Sequence, residues 1–171
     1  MTAVVRLIDR LTEGVGFAAA LLLIPLVLAM CYEVFARYVL NAPTIWAYEM
    51  SYMLSGTYFL LGSGFTLKRR GHIRIDLIYA HVSSRARAMI DLAGYVLVFL
   101  PLLVVLNYYL WDYAMQSIES GERSGQSAWN PVIWPFRIMF FAGFAFLALQ
   151  VVAEILKCVR VIFGAGTQNE G

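Results

Sequence analysis

Four stretches of this chain run without a charged residue for longer than a soluble helix of its size can conceal. Gly14 to Tyr32 holds none over nineteen positions, Met50 to Leu67 none over eighteen, Leu92 to Trp111 none over twenty, and Ile138 to Ala153 none over sixteen. A helix rises 1.5 Å per residue, so about 20 residues cross a hydrocarbon core of about 30 Å. Lipid-facing barrel strands would need shorter runs with strict alternation, which none of the four has. Composition agrees: 14% of the 171 residues are charged and 61% are hydrophobic, against the roughly 25% charged usual in soluble domains. The expectation is an all-α polytopic membrane protein, a single membrane domain of four transmembrane helices at about 14–37, 46–67, 89–111 and 132–156. Loops of about 68–88 and 112–131 join them. Arg6 and Arg10 precede the first run as a signal peptide's positive region would. The run is too long for a signal peptide and no small-x-small site follows, so it reads as the first span. Pro25 within it breaks the hydrogen-bond ladder four residues back and is expected to kink the helix.

The basic residues give the orientation. Arg6 and Arg10 precede the first span, six Lys and Arg from Lys68 to Arg87 lie between the second and third, and Lys157 and Arg160 follow the fourth. With four spans these regions share one side, which holds ten of the thirteen Lys and Arg, and only Arg37, Arg123 and Arg137 fall on the other. The positive-inside rule places both termini and the 68–88 loop in the cytoplasm and 112–131 outside. Trp46, Trp111, Trp129 and Trp134 all sit at the outer helix ends, where amphipathic rings favour the headgroup level. Short interfacial helices are expected in two places. Leu77, Ile78, His81 and Val82 recur at helical spacing in the loop, and Val4, Leu7, Ile8 and Leu11 form a stripe near the N-terminus. The basic cluster KRRGHIRID, Lys68 to Asp76, reads as a retention signal able to meet anionic membrane lipids, with no nucleic-acid-binding module around it.

The residue inventory argues against an enzyme. Both histidines, His72 and His81, lie in the 68–88 loop, so paired axial ligands for haem inside the spans are excluded. No His, Cys, Asp or Glu grouping has metal-site spacing, and no cofactor is expected in this chain. Ser51 and Ser55 have no histidine in reach and read, with Gly56 and Thr57, as small packing residues, as do Gly16 and Ala20, and Gly62 and Gly64. The charges cluster at helix ends. Glu33 and Arg37 stand four apart in the favourable order, and Glu49 opens the second span, where a carboxylate meets the helix dipole. The expected arrangement has Arg37 bridging Glu33 within its helix and Glu49 across a turn shaped by Asn41 and Pro43, since the guanidinium fork can serve two carboxylates. Arg137 sits in the first turns of the fourth span, and Glu154 and Lys157 at its far end.

Two longer patterns carry a resemblance. One is E-x-x-x-R-Y at Glu33, Arg37 and Tyr38, then N-x-P-x-x-W-x-x-E from Asn41 through Trp46 to Glu49, then GHIRID from Gly71 through Arg74 to Asp76. The other is SGE-x-S from Ser120 and WNP-x-x-WP from Trp129 and Pro131 to Trp134 and Pro135, followed by Arg137, where relatives often carry lysine. In order and spacing, over roughly residues 5–160, the chain resembles the small, DctQ-like permease subunit of the tripartite ATP-independent periplasmic (TRAP) transporters. The resemblance implies a bacterial inner-membrane protein without catalytic residues. It implies three partners: a large permease subunit that holds the sodium ions and the substrate, a periplasmic substrate-binding protein that delivers an organic acid, and the surrounding lipid. The residues quoted then stand as structural or subunit-interface candidates. Two other readings remain at this stage: a self-contained homo-oligomeric carrier or channel, and a membrane anchor of another complex.

Overall fold

A computed structural model describes residues 2–69 and 83–163. Its elements are α1 (Thr2–Leu21), α2 (Leu23–Tyr38), α3 (Ala47–Lys68), α4 (Ser84–Gly94), a π-helical turn (Tyr95–Phe99), α5 (Leu100–Ser120) and α6 (Trp134–Phe163). They make four rods: α1 with α2, α3, α4 with the π turn and α5, and α6. Among the described residues the only strand-like pairing is an isolated antiparallel bridge between Arg123 and Val132. Expectations placed on Gly71 to Val82, including Arg74, Asp76, both histidines and the interfacial helix, lie outside the described residues.

The first rod breaks at Leu22. Pro25 has no N–H for the Leu21 carbonyl, and the Leu22 amide bonds three residues back to Ala19 O at 3.1 Å. The N-terminal stripe is continuous with the span, because α1 already begins at Thr2. In the third rod a second proline widens the turn preceding it. Pro101 cannot donate to the carbonyl four residues back, and the Leu100 amide reaches Tyr95 O, the five-residue bond of a π turn. Asp112 to Ser120, expected within a loop, are helical; α5 stops at Gly121, whose φ of 62° is the left-handed end that glycine supplies without a Cβ penalty.

By length and composition, three rods can cross a membrane: Ala3–Tyr38, Arg85–Ser120 and Trp134–Phe163. The fourth, α3, has the length at 22 residues but carries more hydroxyls. It is the interior helix, packed against α1, α2 and α6, and most of its residues are half-buried. Its hydroxyls are met within the helix: Ser51 donates to Tyr48 O at 2.7 Å, Thr57 to Met53 O at 2.7 Å and Ser63 to Leu60 O at 2.6 Å. A helix that faces other helices more than lipid tolerates that composition.

Small residues let the rods close. A Cβ on Gly143 of α6 would stand 2.7 Å from Leu60 Cβ, and one on Gly16 of α1 would stand 2.7 Å from Phe65 Cβ, so both contacts with α3 require glycine. Gly62, expected to pack in the same way, faces open space. Leu67, Leu103 and Val151 are the buried apolar centre, with Phe144 and Leu147 against them. Elsewhere the bundle is apolar outward: Phe17, Leu28, Phe59, Leu97 and Leu102 are all exposed.

Candidate functional site

Polar groups gather at the two ends of the bundle. At the first end α1 begins and α3 and α6 finish. There Gln150 of α6, with no exposed surface, accepts from Thr12 Oγ1 at 2.8 Å and donates through Nε2 to Asp9 Oδ1 at 3.1 Å and Glu154 Oε1 at 2.9 Å. Lys157 Nζ lies between the same carboxylates, 2.9 Å from Asp9 and 2.7 Å from Glu154. Lys68 joins from α3, donating to Asp9 O at 2.9 Å and pairing with Glu13 at 2.8 Å. The result is a clasp of one amide, two ammoniums and three carboxylates holding three helices together. Its geometry also explains the orientation of α1: Asp9 and Thr12 turn into the bundle, while Val4, Leu7 and Leu11 remain exposed.

Sequence reasoning placed Glu154 and Lys157 at this end of α6 and Lys68 in the basic cluster, but joined none of them to α1. Asp9, Thr12 and Gln150 join it from 138 to 148 residues apart, a separation that local periodicity does not report. The one available signal was a lone glutamine inside the uncharged run of α6.

At the second end α2 finishes and α3 and α6 begin. Glu33 is the centre. Its Oε1 accepts from Arg37 Nε at 2.9 Å and from Arg37 Nη2. Its Oε2 accepts from the Thr44 amide at 2.9 Å and from the Thr44 hydroxyl. The connection between the helices therefore folds back onto α2. Asn41 makes that possible with φ at 52°, a left-handed conformation Asn adopts more readily than most residues, and Ala42 N returns to Ala36 O at 3.0 Å. Trp46 stacks on Tyr32 with ring centroids 6.0 Å apart, closing the fold-back.

The expected bridge from Arg37 to Glu49 is not made. Arg37 directs Nε and Nη2 to one oxygen of Glu33, and its side chain stays 56% exposed. Thr44 takes the role of linking the connection to α2. Glu49 is fully buried in the first turn of α3, and neither carboxylate oxygen has a hydrogen-bond partner among the described residues.

Arg137, one turn into α6, forms a two-pronged pair with Glu122 and lies 3.6 Å from the Tyr113 ring centroid. Glu122, the acid of the SGE-x-S motif, thereby ties the connection from α5 to the start of α6. The same connection is ordered by Ser124 N donating to Pro131 O at 2.9 Å and by Ile133 N donating to Glu122 O at 3.1 Å. Trp129 is exposed on this loop; Trp134 and Pro135 are the first two residues of α6, where proline costs no helical bond.

Chemically, both clusters are suited to holding helices and connections in place. Among the described residues no three His, Cys, Asp or Glu groups converge as a metal site. No curated protein matches the chain. Residues 26–161, which take in most of α2, all of α3 and the third rod, and nearly all of α6, match the family described as tripartite ATP-independent periplasmic transporters, DctQ component. A multi-pass helical bundle with apolar outward faces and this match over most of its length belongs to the DctQ component family of the TRAP transporters.

Proposed function

We propose that this chain is the small, non-catalytic membrane subunit of a sodium-driven TRAP importer. It packs against a large permease subunit in a bacterial inner membrane and enlarges that subunit's fixed frame. The large subunit carries sodium and an organic acid, and a periplasmic binding protein delivers the acid. Both termini and residues 68–88 face the cytoplasm in this reading. The observation that carries it is the family match over residues 26–161. Supporting it is the disposition of polar groups, most of which are engaged in pairs at the helix ends while broad apolar faces point outward.

The test is co-expression with the large multi-span protein encoded nearest to it, followed by purification and reconstitution. The chain is expected to co-purify with that protein in a fixed ratio. Uptake of an organic acid on a sodium gradient is expected only when both are present with the binding protein. Transport by this chain reconstituted alone overturns the proposal in favour of a self-contained carrier. Impermeant thiol labelling of single cysteines tests the orientation: labelling from outside at position 124 and none at position 85 is expected, and the reverse overturns it.

A further inference from the structure

Several acids of this bundle are met by the chain's own cations: Asp9 by Lys157, Glu13 by Lys68, Glu33 by Arg37 and Glu122 by Arg137. Asp112 of α5 is not. Its Oδ2 accepts from Gln116 Nε2 at 2.7 Å, and among the described residues no cation pairs with it. Both side chains are exposed. With Tyr109 and Tyr113, also exposed, they line an open hollow of about 310 Å³ that Leu106 and Leu110 complete. Spacings of three and four residues place this lining on one side of the helix. Asp112 is the first charged residue after the uncharged run from Leu92 to Trp111. In a membrane the hollow therefore lies where hydrocarbon gives way to headgroups. Arg137 lies over the Tyr113 ring at 3.6 Å and is held by both oxygens of Glu122, so its charge is already balanced. A carboxylate sharing one hollow with two phenol rings, and with leucines toward the hydrocarbon, matches an amphiphile with an ammonium head and an apolar tail.

We propose that this hollow on α5 binds a phospholipid whose headgroup ends in a primary ammonium, phosphatidylethanolamine, with Asp112 accepting from the ammonium and Leu106 and Leu110 against the start of an acyl chain. A primary ammonium carries N–H donors for the carboxylate, and a charged donor and acceptor make the stronger kind of hydrogen bond. The quaternary head of phosphatidylcholine has no N–H to give. The faces of Tyr109 and Tyr113 favour a cation beside them. An anionic head without an ammonium meets only repulsion from Asp112. Placement in the outer leaflet rests on the orientation proposed above, but binding itself requires only that this end of the bundle meets a headgroup layer.

The experiment uses the full chain, purified and returned to nanodiscs holding equal amounts of phosphatidylethanolamine, phosphatidylcholine and phosphatidylglycerol. Lipid that stays bound after release is read by native mass spectrometry. The wild-type chain is expected to retain phosphatidylethanolamine over the other two. Asp112→Asn still accepts from Gln116 but loses the charge, and is expected to lower that preference roughly fivefold, the upper end for one exposed charge pair. Asp112→Glu is expected to keep much of it. Tyr109→Leu, which removes a ring and leaves the carboxylate, is expected to lower it as well. Glu119→Gln makes the same change of charge on α5 outside the hollow and is expected to leave it unchanged. Millimolar phosphoethanolamine is expected not to displace the lipid, because it lacks the chains that the leucines meet. Equal retention of phosphatidylethanolamine by Asp112→Asn, equal retention of phosphatidylcholine by the wild type, or displacement by phosphoethanolamine overturns the proposal. So does an Asp112→Asn chain that keeps its lipid and, on co-expression, loses only the large subunit, since the carboxylate would then be meeting a protein cation. Because lipid binding is assayed on the chain alone, failure of the importer reading leaves this result interpretable.

Discussion

At the end where α1 begins, Asp9, Glu154 and Lys157 satisfy one another around the amide of Gln150. At the end where α2 finishes, Glu33 accepts four hydrogen bonds, while Glu49 is buried with none among the described residues. Both ends bury carboxylates, but only the first supplies an ammonium and an amide within reach. A charge taken out of water is tolerated when its partners come with it, and is costly when they do not. The first end is complete within one chain. At the second, the helices and connection close around Glu33 and leave one carboxylate over. The contrast locates what this chain settles internally and where its charge balance stays open.

Four experiments probe that contrast. The largest effect is expected from Gln150→Leu, which keeps the volume and removes the amide from the clasp. Thr12 and Glu154 each lose a buried partner, at about 1–3 kcal/mol per group. Thermal unfolding of the purified chain in detergent should show a loss of about 2–4 kcal/mol, and a neutral result would mean that α1 is not held by this clasp. Next is Glu33→Gln, which keeps shape but halves the acceptor capacity facing Arg37 and Thr44. A fall in Tm of roughly 2–4 °C is expected. Faster hydrogen exchange at the Thr44 amide should accompany it, and exchange at the Gln150 end should not change.

Glu49→Met reverses the sign. Replacing an uncompensated buried carboxylate by an apolar side chain of similar length should leave the isolated chain unchanged or stabilise it by up to about 1 kcal/mol. A clear loss would reveal a donor to Glu49 and put the two ends on equal terms. The smallest effect is the coupling in a cycle of Arg37→Ala with Glu49→Ala. The side chains make no hydrogen bond, so their losses should add within about 0.5 kcal/mol. Coupling above about 1 kcal/mol would restore the bridge that the sequence suggested.

How much of this was legible depends on the range of each interaction. Four uncharged runs and Pro25 were visible as local patterns, and the break before Pro25 followed from its missing N–H. The Glu33–Arg37 pair was legible because helical neighbours four apart must meet. Close packing at Gly16 was readable from residue size, although size alone misplaced Gly62, which meets nothing. The Asp9–Gln150–Lys157 clasp was not legible: its members are brought together only when α1 lies against α6, and each alone resembles an ordinary polar residue near a helix end. Thr44 in place of Arg37 as the link to the connection is a similar case, since the sequence shows which groups are present but not how Asn41 turns the backbone. The π turn before Pro101 had a signal in that proline, one that was passed over.

The break at Leu22 has a mechanical consequence. α1 is seated against both α3 and α6, whereas among the described residues α2 is seated mainly against α3. The rod is therefore a beam clamped along one half and supported on a single side along the other, with a weakened section between them, where the Leu21 carbonyl lacks its helical donor. A lateral push on the free half produces bending at that section before it strains the clamp. The latch from Thr44 to Glu33 is the far support of the beam, and its strength sets how far the α2 half can swing under load.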